Sequence, residues 1–322
     1  MNIFVTGGAG YIGSICVEEL LNAGHSVSVF DNLSEGHRAA VDKRARFIEG
    51  DLADRPLLFK TLEQLRPQAV MHFAANALVP ESMTNPSKYF RNNVGNGINL
   101  LEACVQAGVQ KFVFSSTCAI FGVPKTVPIT EDAPREPVNP YGESKLMFER
   151  ILDWYERIHG ISHVALRYFN AAGASVRFGE DHRVETHLIP NILKVALGQR
   201  DSVDLYGTDY ETPDGTCIRD YIHILDLAQA HLLALEAPRS AKYNLGTGSG
   251  NSLREVVETC RRITGHPIPV REMPRRPGDP ARLVAASDRI RTELGWSPRF
   301  ADLESIVRSA WDWHVRHPDG YR

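Results

Sequence analysis

Two hydrophobic periods alternate along the first half of the chain. Short apolar runs at Asn2–Thr6, Ser26–Phe30, Arg46–Ile48, Ala69–Phe73 and Lys111–Ser115 have the length of buried strands. Between most of them the period becomes helical. Tyr11–Ala23 carries Ile12, Ile15, Cys16, Leu20 and Ala23 at i, i+3 and i+4 spacing, and Gly24 stands where a helix ends. Leu57–Leu65, Pro86–Gln106 and Pro140–His159 read as further helices, and His163–Leu166 as a strand. Strands separated by helices imply parallel β-α-β units, so the expected fold class is α/β with a doubly wound parallel sheet.

After about Asn170 the character changes. Ala172–Glu185 and Tyr206–Arg219 are rich in Gly, Asp, Pro and Thr and read as loops. A last helix, Leu303–Arg316, sets Ile306, Val307, Ala310, Trp311 and Trp313 towards a core. There is no internal repeat, low-complexity tract or long linker.

Composition narrows the partners. The 322 residues suffice for a sizeable core, and a formal net charge of -3 argues against nucleic acid or an anionic membrane, both of which demand a basic surface. No apolar run approaches the roughly 20 residues that span a bilayer. The chain opens on a strand-like segment rather than on a basic stretch followed by an apolar one, so a cytoplasmic location is expected. Cys16, Cys104, Cys118, Cys217 and Cys260 are scattered without a C-x-x-C pair and are expected to be buried reduced thiols.

Between the first strand and first helix lies Thr6-Gly7-Gly8-Ala9-Gly10-Tyr11-Ile12-Gly13. Glycines there permit a tight turn and close backbone approach to a pyrophosphate, while the helix N-terminus offers N–H groups and a favourable dipole. A Rossmann-type dinucleotide site is expected. Asp31 ends the second strand about twenty residues on, where a carboxylate accepts hydrogen bonds from ribose hydroxyls and repels a 2′-phosphate; NAD is favoured over NADP. Asp51 follows the next strand, and reads either as an adenine contact or as a solvated turn carboxylate.

Tyr141 and Lys145 stand four apart at the start of a predicted helix, on one face. For tyrosine to act as a base near pH 7 its pKa must fall by about 3 units, roughly 4 kcal/mol of selective phenolate stabilisation. The Lys145 ammonium and a positively charged nicotinamide are suitable sources. Ser115-Ser116-Thr117 closes a strand, and Thr117 or Ser116 is placed to hydrogen-bond the same substrate hydroxyl. The run Asp181–His187 holds acidic and histidine residues, but its spacing matches no recognised ligand set, so no metal is expected.

Taken together, these pieces resemble the extended short-chain dehydrogenase/reductases, and among them the UDP-glucose 4-epimerase (UDP-galactose 4-epimerase) group, over essentially the whole chain. The matching pieces are Thr6–Gly13, Asp31-Asn32, Gly50-Asp51-Leu52, His72–Ala75, Asn92-Asn93-Val94, Ser115–Thr117, Tyr141–Lys145, Arg167–Asn170, Arg276-Pro277-Gly278-Asp279 and, most specific, Gly207–His223. The resemblance implies a tightly bound NAD held by Gly7, Gly10, Tyr11, Ile12, Gly13, Asp31, Asn32, Ser34, Asp51, Leu52, Phe73, Ala74, Ala75, Asn92, Ser115, Tyr141, Lys145 and Tyr168. It implies Tyr141 as base, Lys145 as its electrostatic partner, and Thr117 on the sugar hydroxyl. It assigns the nucleotide sugar to Asn170, His187, Leu188, Leu205, Tyr206, Arg219, Arg276 and Asp279. Arg219 and Arg276 suit a diphosphate, because a guanidinium fork matches phosphate oxygens, and Tyr206 suits the uracil. The implied reaction removes hydride from C4 of a UDP-sugar, turns the 4-keto sugar over, and returns the hydride to the opposite face.

The resemblance also implies an NAD-binding Rossmann domain over 1–170, with 222–248 returning to it, and a smaller substrate-binding α/β domain from 171–221 and 249–322. It further implies a homodimer through Pro86–Gln106 and Pro140–His159. Departures from the pattern are Thr117 for a serine, Ala77 where many members carry a cofactor-contacting lysine, and His187 for a uracil-side asparagine. Leu283, intermediate in size, stands where the group sets sugar-pocket width. Epimerisation of UDP-N-acetylhexosamines or UDP-pentoses is the main alternative, and a non-catalytic NAD sensor a distant one. A 4,6-dehydratase is disfavoured because Cys118-Ala119, not an acidic pair, follows Thr117.

Overall fold

The computed structural model describes residues 1–276 and 278–322; Pro277, part of the motif ending at Asp279, lies outside the described residues. The chain opens with β1 (Asn2–Thr6), α1 (Tyr11–Asn22), β2 (Ser26–Asp31), β3 (Arg46–Glu49), α2 (Arg55–Leu65), β4 (Ala69–His72), α3 (Val79–Thr84), α4 (Pro86–Tyr89), α5 (Gly97–Ala107), β5 (Lys111–Thr117), α6 (Pro140–His159) and β6 (Ser162–Tyr168). It continues with β7 (Asn170–Ala172), α7 (Leu188–Ala196), β8 (Val203–Tyr206), β9 (Ile218–His223), α8 (Ile224–Glu236), β10 (Ala241–Leu245), β11 (Gly250–Ser252), α9 (Leu253–Thr264), β12 (Val270–Met273), β13 (Arg282–Leu283), α10 (Asp288–Leu294) and α11 (Leu303–Arg316).

These elements divide into two units: Met1–Gly122, Arg135–Arg167 and Ala228–Tyr243 form the first, and Val123–Pro134, Tyr168–Leu227 and Asn244–Arg322 the second. The sequence-based boundaries differ most at Val123–Pro134. That segment goes with the second unit because Ile129 N–H donates to Val284 O at 2.8 Å and Ala286 N–H to Ile129 O at 2.9 Å.

The first unit is built on a seven-stranded sheet in the order β10-β6-β5-β4-β1-β2-β3. The pairs of β1 with β2 and β4, of β2 with β3, and of β4 with β5 are parallel. Strands covered on both faces are withdrawn from water along their whole length, and every residue of β4 and β5 is buried, including the polar Ser115, Ser116 and Thr117 at the β5 end. Phe4, Val70, Leu100, Leu101, Phe112, Phe114, Phe148 and Leu152 form the core on one side of this sheet.

One predicted element is broken. Pro86–Gln106 is not a single α-helix: α4 passes into seven π-helical residues, Phe90–Asn96, before α5 begins. The widened turns carry buried Asn93, whose Nδ2 donates to Asn76 O and Ser144 Oγ, both at 3.0 Å, and whose Oδ1 accepts from Asn76 N–H at 2.9 Å. Tertiary hydrogen bonds here displace the regular helical ladder, as π-turns at functional sites often do.

In the second unit β9 is central. It pairs in parallel with β7 and β13 and antiparallel with β11. A separate parallel pair joins β8 and β12. Ile189, Ile192 and Leu193 of α7 meet Val256, Val257 and Cys260 of α9 and Ile306 and Val307 of α11 in its core.

Candidate active site

The turn after β1 is shaped by three glycines with different tasks. Gly7 has φ 73, and a Cβ there would lie 2.4 Å from Ala74 N. A Cβ on Gly13 would lie 2.1 Å from Gly7 O, so α1 packs against the turn only without a side chain. Gly10 is different: the nearest atom to its hypothetical Cβ is 3.5 Å away, which leaves its face open for a ligand's close approach. No side chain caps α1 and no acidic residue stands in its first turn. The arrangement suits an anion at the helix N-terminus.

A cavity begins at this turn and is lined by Gly7, Gly10, Asp31, Asn32, Ser34, Asp51, Leu52, Phe73, Ala74, Ala75 and Asn92, all named from sequence. Its wall also includes Phe30, Glu35, Gly36, Gly50 and Asn76, which sequence reasoning missed. Gly36 carried a signal: it is a glycine five residues past the end of β2, and a Cβ there would sit 2.7 Å from Ala9 O. Asp31 is buried at the β2 end. One carboxylate oxygen accepts from Ala9 N–H at 2.9 Å and the other from Leu33 N–H at 2.8 Å. Burial pushes its pKa up and these two bonds oppose that. Each oxygen keeps a lone pair for a hydroxyl donor. Asn32 Nδ2 donates to Asp51 Oδ2 at 2.7 Å, tying the two rim residues together. The cavity fits a dinucleotide: bare turn, open Gly10, and a fixed carboxylate at the expected strand end. Ala77 is exposed and absent from the cavity wall.

Tyr141 and Lys145 lie in the first turns of α6. Asn139 caps that helix, accepting from Gly142 N–H at 2.8 Å, and Pro140 pre-sets its first turn. Lys145 is buried and donates to Ser115 O at 2.7 Å. Its ammonium is 6.0 Å from the Tyr141 ring centroid. Burial pulls the Lys145 pKa down to about 7. Burial also pushes the Tyr141 phenol up to about 12, although the Thr117 hydroxyl hydrogen-bonds the same phenol and opposes the rise. Sequence reasoning expected a lowered phenol; among the chain's own groups the cost of burying its charged form wins.

Of the two hydroxyls proposed beside Tyr141, only Thr117 faces it. Ser116 is turned to the other side of β5, as alternation along a strand requires, and donates to Glu149 Oε1 at 2.6 Å. Glu149 in turn takes a bidentate pair from Arg167, at 2.9 Å and 2.7 Å, and both side chains are about 1% exposed. Ser116 thus belongs to a buried ionic network behind the site. Sequence offered no sign of that network, because its members are far apart along the chain. The remaining cofactor candidates, Tyr11, Ile12 and Tyr168, lie at the start of α1 and at the β6 end.

In the second unit the proposed nucleotide residues lie on β7 (Asn170), β8 (Leu205, Tyr206) and β9 (Arg219), at the start of α7 (His187, Leu188) and between β12 and β13 (Arg276, Asp279). Arg219 is buried on β9, and its guanidinium pairs with Asp279 Oδ1 at 2.5 Å. Arg276 lies over the Tyr206 ring at 3.9 Å. Leu283 pairs in register with Arg219. Arg219, read as the end of a loop, is in fact inside a strand. Asn170 opens β7 and is partly buried. Leu188 begins α7, and Leu205 is buried in the core, so only its backbone can meet a ligand. His187 immediately precedes α7 and makes no side-chain cap bond to it; its Nδ1 is 2.9 Å from both Glu180 Oε1 and Glu185 Oε1.

Residues 3–246 match the model of the NAD dependent epimerase/dehydratase family. A UDP-glucose 4-epimerase from Lacticaseibacillus casei is 50% identical over 100% of this chain and 99% of its own length. The crystal structure of UDP-glucose 4-epimerase from Brucella ovis in complex with NAD is 47% identical, with a TM-score of 0.94 over 97% of this chain and 98% of that one. That from Bifidobacterium longum in complex with NAD+ and UDP is 37% identical, with a TM-score of 0.95 over 99% and 100%.

Proposed function

The chain belongs to the NAD dependent epimerase/dehydratase family, and from that premise we propose that it interconverts UDP-glucose and UDP-galactose at C4 of the sugar, with Tyr141 as the base. The observation that carries the reading is the Tyr141–Thr117–Lys145 constellation on the same unit as the glycine turn. NAD+, when bound, supplies a hydride acceptor that gives the same hydride back to C4. The glycine turn and the start of α1 suit its pyrophosphate, and Asp31 its ribose hydroxyls. A cofactor that is regenerated in each turnover need not leave, so a resident NAD is part of the proposal.

The chain's own task is to move one proton. Tyr141 takes it from the C4 hydroxyl and later returns it to the C4 oxygen. A phenol at about 12 requires roughly 7 kcal/mol of selective phenolate stabilisation to work near pH 7. Thr117 contributes by its hydrogen bond. Lys145 contributes positive charge, and because burial disfavours both ions singly, phenolate and ammonium each ease formation of the other. Arg219 and Arg276 suit the diphosphate, and Tyr206 the uracil. For Arg219 this requires sharing or giving up Asp279.

The proposal extends to a homodimer. Met147, Trp154 and Ile158 of α6 are 37%, 58% and 67% exposed, and with Ile151 they recur at helical spacing on one face. Among the described residues no helix is long and apolar enough to cross a membrane. The five cysteines are free thiols, in keeping with the reducing cytoplasm as location.

The test is a product assay. Untagged protein given UDP-galactose, without added NAD or reductant, is expected to yield UDP-glucose. A requirement for NADH in proportion to product would replace this reading with a simple reductase. UDP-N-acetylglucosamine and UDP-xylose run in parallel decide substrate breadth.

A further inference from the structure

A second cluster of chemistry-bearing side chains sits in the second unit, on the segment that leads into α7. Glu180, His182, Glu185 and His187 each offer one donor atom, and all four atoms lie within 4.8 Å of one another. Nδ1 of His187 is 2.9 Å from Glu180 Oε1 and from Glu185 Oε1. Nδ1 of His182 is 3.3 Å from Glu180 Oε1 and 3.2 Å from Glu185 Oε2.

Two features of this arrangement go beyond ordinary ion pairing. The first is the count of hydrogens. Each imidazole Nδ1 carries at most one, yet each faces oxygens from both carboxylates, so two hydrogens serve four approaches. The second is charge. The Glu180 and Glu185 side chains are 6% and 3% exposed, and two adjacent buried carboxylates demand two compensating positive charges, which the chain by itself meets only by keeping both imidazoles protonated. One divalent ion supplies both charges and leaves the imidazoles neutral. Tetrahedral ligands at about 2.0–2.2 Å from an ion stand about 3.3–3.6 Å apart; the two His182 separations of 3.3 Å and 3.2 Å are close to this, while the donors as a set spread over 4.8 Å, so the widest pair draws in when an ion binds.

The surroundings also resemble those of a metal site. Glu185 Oε1 accepts from His187 backbone N–H at 2.8 Å, which fixes its orientation. Asn191 Nδ2 donates to the His187 carbonyl at 2.8 Å and reaches that of Glu185 at 3.4 Å, bracing the loop from α7. Such supporting bonds hold ligands in place. The His187 side chain is 49% exposed, which gives an ion a way in.

We propose that Glu180, His182, Glu185 and His187 form a tetrahedral two-nitrogen, two-oxygen site for a divalent transition metal, with Zn2+ the ion its ligand chemistry suits best. The ion is structural: it pins segment 180–187 to the start of α7. This inference does not depend on the proposed reaction, which needs no metal.

The test uses untagged full-length protein stripped with EDTA and titrated with CoCl2, then with ZnCl2. The expected result is the visible d–d absorption of four-coordinate Co2+, saturating at about one ion per chain and displaced by Zn2+. The melting temperature is expected to rise with Zn2+. His182→Gln and Glu185→Gln are each expected to weaken Co2+ binding by at least about tenfold. Absence in the unmodified protein of both the four-coordinate spectrum and the Zn2+-dependent rise overturns the proposal and leaves a proton-held ionic cluster. An unchanged Co2+ titration in a folded His182→Gln variant overturns it equally.

Discussion

At the scale of single residues, the candidate base is held in the wrong protonation state for its task until something else arrives. Burial sets Tyr141 at about 12 and Lys145 at about 7, so neither ion is favoured alone. A site that must accept a proton only when cofactor and sugar are present gains from this: the phenolate forms where positive charge accompanies it. Tyr141→Phe is expected to lower turnover of UDP-galactose by about 10²–10⁴-fold, while circular dichroism and NAD binding stay as in the parent. Turnover within a few-fold of the parent would remove Tyr141 from the mechanism. Asp31 shows the opposite logic. Its two bonds from backbone N–H groups hold the carboxylate at the β2 end, so it is already aimed.

At the scale of elements, the end of β5 is fixed from behind by α6 and β6. Ser116, Glu149 and Arg167 join three elements through bonds of 2.6–2.9 Å. Breaking one half of a buried ion pair leaves the other uncompensated. Glu149→Gln is therefore expected to cost about 3–5 kcal/mol in urea unfolding, and the double variant Glu149→Gln, Arg167→Met to recover most of it. A single-variant loss below about 1 kcal/mol would show that the network does not support β5. At the end of β4, His72 lies among Phe112, Phe114 and Phe148, with its Nδ1 2.7 Å from Thr6 Oγ1. Burial, and then Lys145, pull its pKa down to about 3. Between 6.5 and 3 the unfolded chain binds a proton there and the folded one does not, so stability falls as pH falls through that window. From pH 6.5 to pH 5 this one group removes about 1.6 kcal/mol. His72→Leu is expected to flatten the pH dependence by that amount, whatever its effect at neutral pH. Equal slopes in both proteins would place the acid sensitivity elsewhere.

At the scale of the whole molecule, α6 serves two ends at once. One face carries Tyr141, Lys145 and Glu149 inward, and another shows Met147, Trp154 and Ile158 to the outside. An apolar stripe of that kind on the helix that carries the candidate base is the natural seam for a second copy. The parent is expected to sediment as a dimer and Trp154→Glu as a monomer. A monomeric parent at micromolar concentration would refute the seam.

Much of the architecture was legible because its determinants are local. The strand and helix periods marked β1, α1, α6 and α11 to within a residue, and the glycine turn declared itself by its place between a strand and a helix. Tyr141 and Lys145 were legible as neighbours because a helix brings i and i+4 together. Other features depended on residues that meet only in the folded chain. Periodicity cannot foresee the π-helical turns around Asn93, since Asn76 and Ser144 impose them from outside the segment. Nor can it distinguish Ser116 from Thr117, which have the same chemistry until the sheet assigns them opposite faces. The spacing in 180–187 resembled no ligand set because it follows no helix; a loop, not a period, gathers those four side chains. The sign of the Tyr141 shift was likewise hidden. The sequence by itself determined which groups are present and which stand next to each other along helix or strand. Tertiary structure alone decided what each group faces and how far it is withdrawn from water, because burial and long-range pairing belong to the packed chain and to no local stretch of it.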